Sequence, residues 1–410
     1  MKDSFSRYQI FVVALLAFLQ FTVVLDFMIL SPLGAILIEK LSISTQQFGL
    51  VVSAYAFSAG ASGLLAAGFA DRFDRRKLLL FFYAGFLLGT LFCGLAPTYH
   101  FLLAARIVTG IFGGVIGSIS FAIVADIFPV SMRGRVAGFI QTSFAASQIL
   151  GIPIGLYLAN HFGWHAPFLM IVGVSSLAGI AIITKLQPIT AHLSAPRRDP
   201  VEHLVRTASN GRYLTGFAAT ILLATGGFML MPFGSTYLVQ NIGIPLEKLP
   251  LIYMVTGFSS IIAGPLLGRL SDSFGRYRTF VLGSVLGIAM VLIYTSLGPV
   301  PLWQVIALNV VLFVSISARM VSTFAMTSAL PDLADRGAYM SISSSLQQLS
   351  GGVAAWVAGL IVSQQTPTSP LAHYPTLGRV VAFAMLLTIG LMFRVHRLVE
   401  PKSPPTPATT

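Results

Sequence analysis

Charge is what this chain lacks most. Asp, Glu, Lys and Arg make up 9% of its 410 residues, against roughly 25% in an ordinary soluble domain. A chain with so few could not cover its own surface with polar groups, which excludes a water-soluble globular protein. Cysteine is nearly absent too. Cys93 stands alone inside an apolar stretch, so no disulfide can form within the chain, and it reads as a buried, inert thiol. No Gly-rich loop ending in Lys-Ser/Thr is present to cradle a nucleotide phosphate. No nucleophile, base and orienting group stand together. A nucleotide-driven pump and an enzyme are both excluded as leading readings, and no cofactor or metal is expected. The net charge of +12 does not point to nucleic acid, because the positive residues are spread over many short loops rather than gathered in one patch.

What the chain has in abundance is apolar length. Mean hydropathy is +0.84 and 55% of residues are hydrophobic. A membrane-crossing helix needs about 20 apolar residues, and twelve segments qualify: 9–37, 47–69, 78–97, 101–125, 136–159, 166–185, 212–238, 248–270, 278–298, 302–326, 338–363 and 376–398. The polar residues before Tyr8 lead into a run too long for a cleavable signal, so the first run is expected to be a span. Residues 186–211, rich in Pro, Arg and His and without apolar periodicity, read as a linker between two six-helix halves, 1–185 and 212–398. The tail at 399–410 is expected to be disordered. With the N-terminus placed inside, twenty Lys and Arg fall on the inner side and three (Lys40, Lys248 and Arg379) on the outer. That bias sets both termini in the cytoplasm, and the expected location is the bacterial inner membrane. Trp164 and Trp303 at outer span ends read as interfacial anchors.

The two halves repeat each other. Gly68-Phe-Ala-Asp-Arg-Phe-Asp-Arg-Arg-Lys77 follows the second apolar run. A weaker copy, Gly268-Arg-Leu-Ser-Asp-Ser-Phe-Gly-Arg-Tyr-Arg278, follows the eighth. Arg133-Gly134 and Arg336-Gly337 open the fifth and eleventh runs, 203 residues apart. Internal repeats of this kind place a substrate path between the halves.

These residues resemble the major facilitator superfamily. Gly68 to Lys77 is similar to that family's loop 2–3 signature, with Asp74 standing where the family usually has Gly. Arg106 with Gly110, Gly113, Gly114 and Gly117 is similar to its span 4 arginine motif. Gly151-Ile-Pro153-Ile-Gly155 resembles a shortened form of the exporters' Gly-Pro motif. The resemblance implies an all-α integral membrane protein of twelve transmembrane helices in two pseudo-symmetric six-helix bundles. It also implies kinship with the drug:proton antiporters and the sugar and metabolite effluxers. Gly68, Asp71, Arg72, Arg76, Asp126 and Asp272 would then belong to a cytoplasmic gating network holding the outward-facing state, and Gly151, Pro153 and Gly155 to the gating helix.

Three charges stand where a bilayer should forbid them: Asp26, Arg106 and Arg319. Each costs at least ~2.5–3.5 kcal/mol near the membrane centre. At a rise of about 1.5 Å per residue, Asp26 and Arg106 lie at similar depth, roughly 5 and 9 Å outward of their span midpoints, so they can pair. Asp26 is the one acid well inside a span. It reads as a proton-coupling site with Arg106 as its partner, or as a carboxylate held permanently in an ion pair. Arg106 either points into the bundle or snorkels outward. Arg319 reads as a substrate contact or as one member of a packed ion pair. Gln141 and Gln148, Gln347, Tyr55 and Phe228 outline a cavity, or else serve as helix-packing groups. The expected function is a monomeric secondary transporter. It would move a small molecule by alternating access with proton-coupled efflux, its partners being substrate, protons and lipid, not nucleic acid. Uptake of an anionic metabolite, or a sensor or scaffold that transports nothing, are the alternatives.

Overall fold

A computed structural model describes residues 5–190, 193, 200–332 and 335–399; the side chains of residues 67, 68, 71, 130, 200 and 201 are outside that description. The tail beyond residue 399 and most of the Pro- and Arg-rich linker therefore fall outside it. Sixteen α-helices are described. In the first half these are α1 (Arg7–Ile29), α2 (Gly34–Lys40), α3 (Thr45–Phe69), α4 (Arg75–Gly94), α5 (Tyr99–Ile127), α6 (Val130–Ala146), α7 (Ile152–Phe162) and α8 (Ala166–Lys185). The linker carries α9 (Pro200–Ala208). The second half holds α10 (Gly211–Leu230), α11 (Gly234–Gln240), α12 (Leu249–Phe274), α13 (Arg276–Thr295), α14 (Leu302–Thr327), α15 (Arg336–Ile361) and α16 (Tyr374–Val399).

These assemble into twelve spans, because three spans are each built from two helices. α1 and α2 form one, α6 and α7 another, α10 and α11 a third. Eleven spans are long and apolar enough to cross a membrane by length and composition. The twelfth, α15, is 26 residues long but carries Ser341, Ser343, Ser344, Ser345, Gln347, Gln348 and Ser350.

The first span of each half was expected to be continuous. Both break instead, at Leu30–Leu33 and at Met231–Phe233. The cause is Pro32 and Pro232, which stand at the same place in the repeat and lack the N–H an α-helix would use. The breaks meet across the halves. Ser235 Oγ donates to Ser31 O at 2.9 Å, and Gly34 packs against Pro232 O with no room for a Cβ.

Call the end where α1 begins and α16 finishes the near end, and the opposite one the far end. The halves are fastened at the far end. Thr45 Oγ1 donates to Val362 O at 2.7 Å, Ser53 Oγ to Gly352 O at 2.8 Å, and Asn160 Nδ2 to Leu246 O at 3.1 Å. α3 and α15 run side by side, with Gly49 and Gly359 bringing their backbones together. Apolar core is correspondingly continuous across both halves there, with Phe48 of α3 meeting Phe233 at 5.9 Å between ring centroids. Two smaller clusters fill the near ends of the separate halves. Trp164 joins the far core at 5% exposure, stacked on His165, rather than anchoring in an interface; Trp303 is exposed.

Candidate functional site

Four helices of the first half converge on one charge pair. Arg106 Nη1, on α5, donates to Asp26 Oδ2 of α1 at 2.7 Å, and both side chains are fully buried. Thr90 of α4 donates to Asp26 Oδ1 at 3.0 Å. The guanidinium lies over the ring of Tyr55 on α3, 4.5 Å from its centroid. Glycine spacing explains how α3 comes so close. Gly110, Gly113 and Gly114 on α5 face Tyr55, Ser58 and Ala59, where any Cβ would collide. The arginine therefore points into the bundle and does not snorkel.

The pair is not fully satisfied. Arg106 Nε and Nη2 find no hydrogen-bond partner among the described residues. A buried ion pair of this kind is at best near break-even for stability, since desolvation offsets attraction. Protonating Asp26 would remove the charge that Arg106 faces.

Aromatic rings carry the site toward the other half. Tyr55 meets Phe27 of α1 at 5.2 Å between centroids, and Phe27 meets Phe228 of α10 at 5.7 Å. Tyr55 and Phe228, both expected to line a pocket, thus form a chain of contacts from Arg106 across the boundary. Gly351 of α15 packs face-on to Phe228, leaving no space for a Cβ.

The remaining cavity candidates scatter. Gln141 is exposed. Gln148 is half-buried beside Gly257 of α12, and Gln347 is half-buried on α15. None of the three makes a hydrogen bond to the described residues. Gly151 and Gly155 pack on Leu25 and Ile29 of α1. Residues Ser147–Gly151 form a π turn two residues before Pro153, a local insertion of the type often found at functional sites. It lies where α12 crosses from the other half.

Arg319 sits apart, on α14. It is 5% exposed, and its guanidinium is 5.7 Å from the centroid of Phe280 on α13. Nε and Nη2 have no hydrogen-bond partner, and no described acid forms an ion pair with it.

At the near end, the expected gating charges resolve unevenly. Gly68 and the Asp71 side chain lie outside the described part, and Arg72 and Asp272 are exposed. Arg75, which the sequence reading passed over, carries the link. Its Nε meets Asp126 Oδ2 at 3.1 Å and its Nη1 donates to Ala70 O at 2.9 Å. Arg76 instead reaches Ile183 O at 2.6 Å. Within a basic run, only the helix register after the cap could have told Arg75 from Arg76. Asp74 is that cap. It accepts from Arg76 N at 3.0 Å and from Ile189 N at 2.9 Å, so the chain starts α4 with a side-chain acceptor that Gly could not supply.

The linker holds a second near-end feature. α9 lies within the segment read as a linker without apolar periodicity; it is helical and docks on α15. His203 Nε2 donates to Asp335 Oδ1 at 2.9 Å, Tyr213 Oη to Asp335 Oδ2 at 3.0 Å, and Arg206 Nη2 stands 3.6 Å from the same carboxylate. The His203 and Tyr213 hydrogen bonds hold the Asp335 carboxyl below its usual range.

Comparison with known proteins places this architecture. The family model for the Major Facilitator Superfamily matches residues 16–355 and again 216–410. The chain belongs to the Major Facilitator Superfamily. Within the superfamily it is 28% identical over 275 residues to the uncharacterized MFS-type transporter YceJ of Bacillus subtilis, covering 65% of this chain and 68% of that one. It is 22% identical over 384 residues to the MFS-type transporter YbcL of the same organism, covering 94% and 96%. A probable sugar efflux transporter of Mannheimia succiniciproducens is 24% identical over 61% of this chain and 62% of its own. Among solved structures, a bacterial homolog of the human lysosomal transporter Spinster, captured inward-facing and occupied, superposes with a TM-score of 0.71 at 15% identity over 97% of each chain. The nucleoside transporter NupG gives 0.72 at 14% identity over 95% and 99%. Twelve spans in the superfamily fold, in a transport protein rather than an enzyme, follow directly.

Proposed function

We propose that the chain is a proton-coupled secondary transporter that exports a drug-like compound or metabolite across the bacterial inner membrane by alternating access. The fully buried Asp26–Arg106 pair carries this reading. A protein that only needed to fold would gain little from such a pair, whereas a proton carrier needs a carboxylate that geometry can switch. A sensor or scaffold would have no use for it. The contact chain through Tyr55, Phe27 and Phe228 gives the other half a physical means of biasing that switch. Arg75 and Asp126, whose side chains pair at the near end, would act on the cytoplasmic gate together with Arg72, Arg76, Asp71 and Asp272.

The Lys and Arg distribution supports a cytoplasmic near end with both termini on that side. On that orientation, fastening of the halves at the far end supports an inward-facing reading. Transport into proteoliposomes under an imposed pH gradient tests the reading. Asp26→Asn should abolish uphill movement while exchange persists; undiminished uphill transport by that variant would remove Asp26 from the mechanism. Uptake of an anionic metabolite is the second reading, and the unpaired Arg319 favours it.

A further inference from the structure

Among the described residues, Arg319 is a cation without an anion. The residue is 5% exposed, and its Nε and Nη2 bond to nothing described. Their N–H groups lie parallel along one edge of the guanidinium. That edge is the one a carboxylate occupies in a bidentate pair. Buried hydroxyls lie on the same two helices. Thr323 stands one turn further along α14 and Ser284 on α13, and Thr323 Oγ1 and Ser284 Oγ are also without partners. Neighbouring hydroxyls show the ordinary alternative. Ser315 bonds Leu312 O at 2.6 Å and Thr327 bonds Thr323 O at 2.9 Å. Gly283 lets the helices close here, since a Cβ would fall 3.2 Å from Ser315 O and 3.4 Å from Arg319 N.

The fold itself does not ask for this charge. At the repeat offset of 203 the first half has Ile116 in the corresponding place, fully buried in apolar core. Arg106, by contrast, has Asp26. A permanently charged group buried among donors, with no acceptor among the described residues, carries a desolvation cost that an anion from outside the chain would offset.

We propose that Arg319 is an anion subsite in the second half, taking a carboxylate of the transported molecule along its Nε–Nη2 edge with Thr323 and Ser284 as additional donors. The proposal rests on the transporter reading for the word transported, and names the substrate class as carboxylate-bearing. The binding itself is independent of proton coupling at Asp26.

Thermal unfolding of the full-length protein in detergent tests it, with acetate, benzoate and inorganic phosphate as probes against chloride at equal ionic strength. In the unaltered protein, benzoate or acetate raises Tm and chloride does not. Arg319→Met should lose that shift and raise the ligand-free Tm, because an unpaired buried charge is replaced by an apolar chain of similar length. Arg319→Lys keeps the charge, so it tests the edge itself, and should bind the carboxylate about tenfold more weakly or worse. A Tm lowered by Arg319→Met, with a carboxylate shift that survives in Arg319→Lys, would overturn the subsite and leave Arg319 structural. A shift by phosphate alone would overturn the carboxylate assignment. Asp26→Asn must leave the carboxylate shift intact. Failure of uphill transport alone therefore counts against proton coupling and not against this site.

Discussion

Phe27 of the first half and Phe228 of the second hold their ring centroids 5.7 Å apart, with Phe27 itself 5.2 Å from the tyrosine under Arg106. Only one residue, Tyr55, separates this cross-boundary contact from the guanidinium. Any movement that parts the halves at this level must either break the Phe27–Phe228 contact or drag Phe27 with it. In the second case Tyr55 loses its support and Arg106 its cation–π face.

Phe228→Ala is therefore expected to loosen coupling more than binding. The variant should still exchange substrate but move fewer protons per turnover, measured by pH-sensitive dye and substrate flux in the same vesicles. Phe228→Leu, which keeps apolar bulk without the ring, should lie between the two. An unchanged proton-to-substrate ratio in Phe228→Ala would show the aromatic chain to be packing only. Spatial continuity motivates this prediction; the flux ratio decides it.

A double-substitution cycle separates folding from coupling at the charge pair. Asp26→Leu alone strands Arg106 in a fully buried setting, at an expected cost of about 3–5 kcal/mol. Adding Arg106→Met should recover most of that loss, because no charge is left to desolvate. Asp26→Asn should be milder, since Thr90 and Arg106 keep an oxygen to bond. Detergent unfolding of the four proteins measures the coupling. Additive effects would mean that the two side chains do not sense each other. The recovered double variant should fold and carry no proton-driven transport.

The linker helix offers a pH test at the near end. Hydrogen bonds from His203 and Tyr213 depress the Asp335 carboxyl in the folded protein. A depressed acid contributes stability that is present above its unfolded value and lost as pH falls through the folded one. The α9–α15 clasp should thus be fully formed at neutral pH and loosen only below about pH 4. Hydrogen exchange of residues 200–208 reports it. Asp335→Asn should lower protection at neutral pH to the level the unaltered protein shows in acid, each measured against its intrinsic exchange rate. Equal protection in both would mean that Leu204 and Ala208, which pack against the near-end core, hold the helix without the carboxylate.

Much of this was legible in the chain, and what was not has identifiable causes. Asp26 and Arg106 could be matched because a helix converts residue number to depth at a fixed rise. Tyr55 beneath Arg106 could not, since that depends on how α3 is rotated, which the Gly110–Gly114 face sets. α15 was counted among the apolar runs, although its serines and glutamines leave it less apolar than the other spans. α9 was missed because its apolar stripe, Val201, Leu204 and Ala208, is only two turns long within a segment rich in Pro, Arg and His. The breaks at Pro32 and Pro232 hid inside uninterrupted apolar runs, where hydropathy is blind to a missing N–H. Arg319 could be recognised as anomalous, but its lack of an acidic partner is a fact of packing.

The far-end seam makes the last prediction, and glycine is the reason. A Cβ on Gly49 would fall 2.9 Å from Ala355 O, and one on Gly359 would fall 2.9 Å from Thr45 O. Both obstacles are backbone atoms, which cannot swing aside as a side chain could. Gly49→Ala and Gly359→Ala should therefore push α3 and α15 apart where the halves are fastened. Overpacking of this sort costs about 1–3 kcal/mol in a rigid core. Here the cost falls on one conformation only, so it becomes a change in population rather than in folding. Spin labels at Lys40 and Lys248, exposed far-end positions on opposite halves, report the separation in a background with Cys93→Ser. The unaltered protein should favour the short distance, and each variant should populate a longer one. Gly138→Ala, where a Cβ meets nothing within 4 Å, is the control and should leave the distribution unchanged. If Gly49→Ala and Gly359→Ala also leave it unchanged while lowering Tm, the seam is a fixed core rather than a gate that opens.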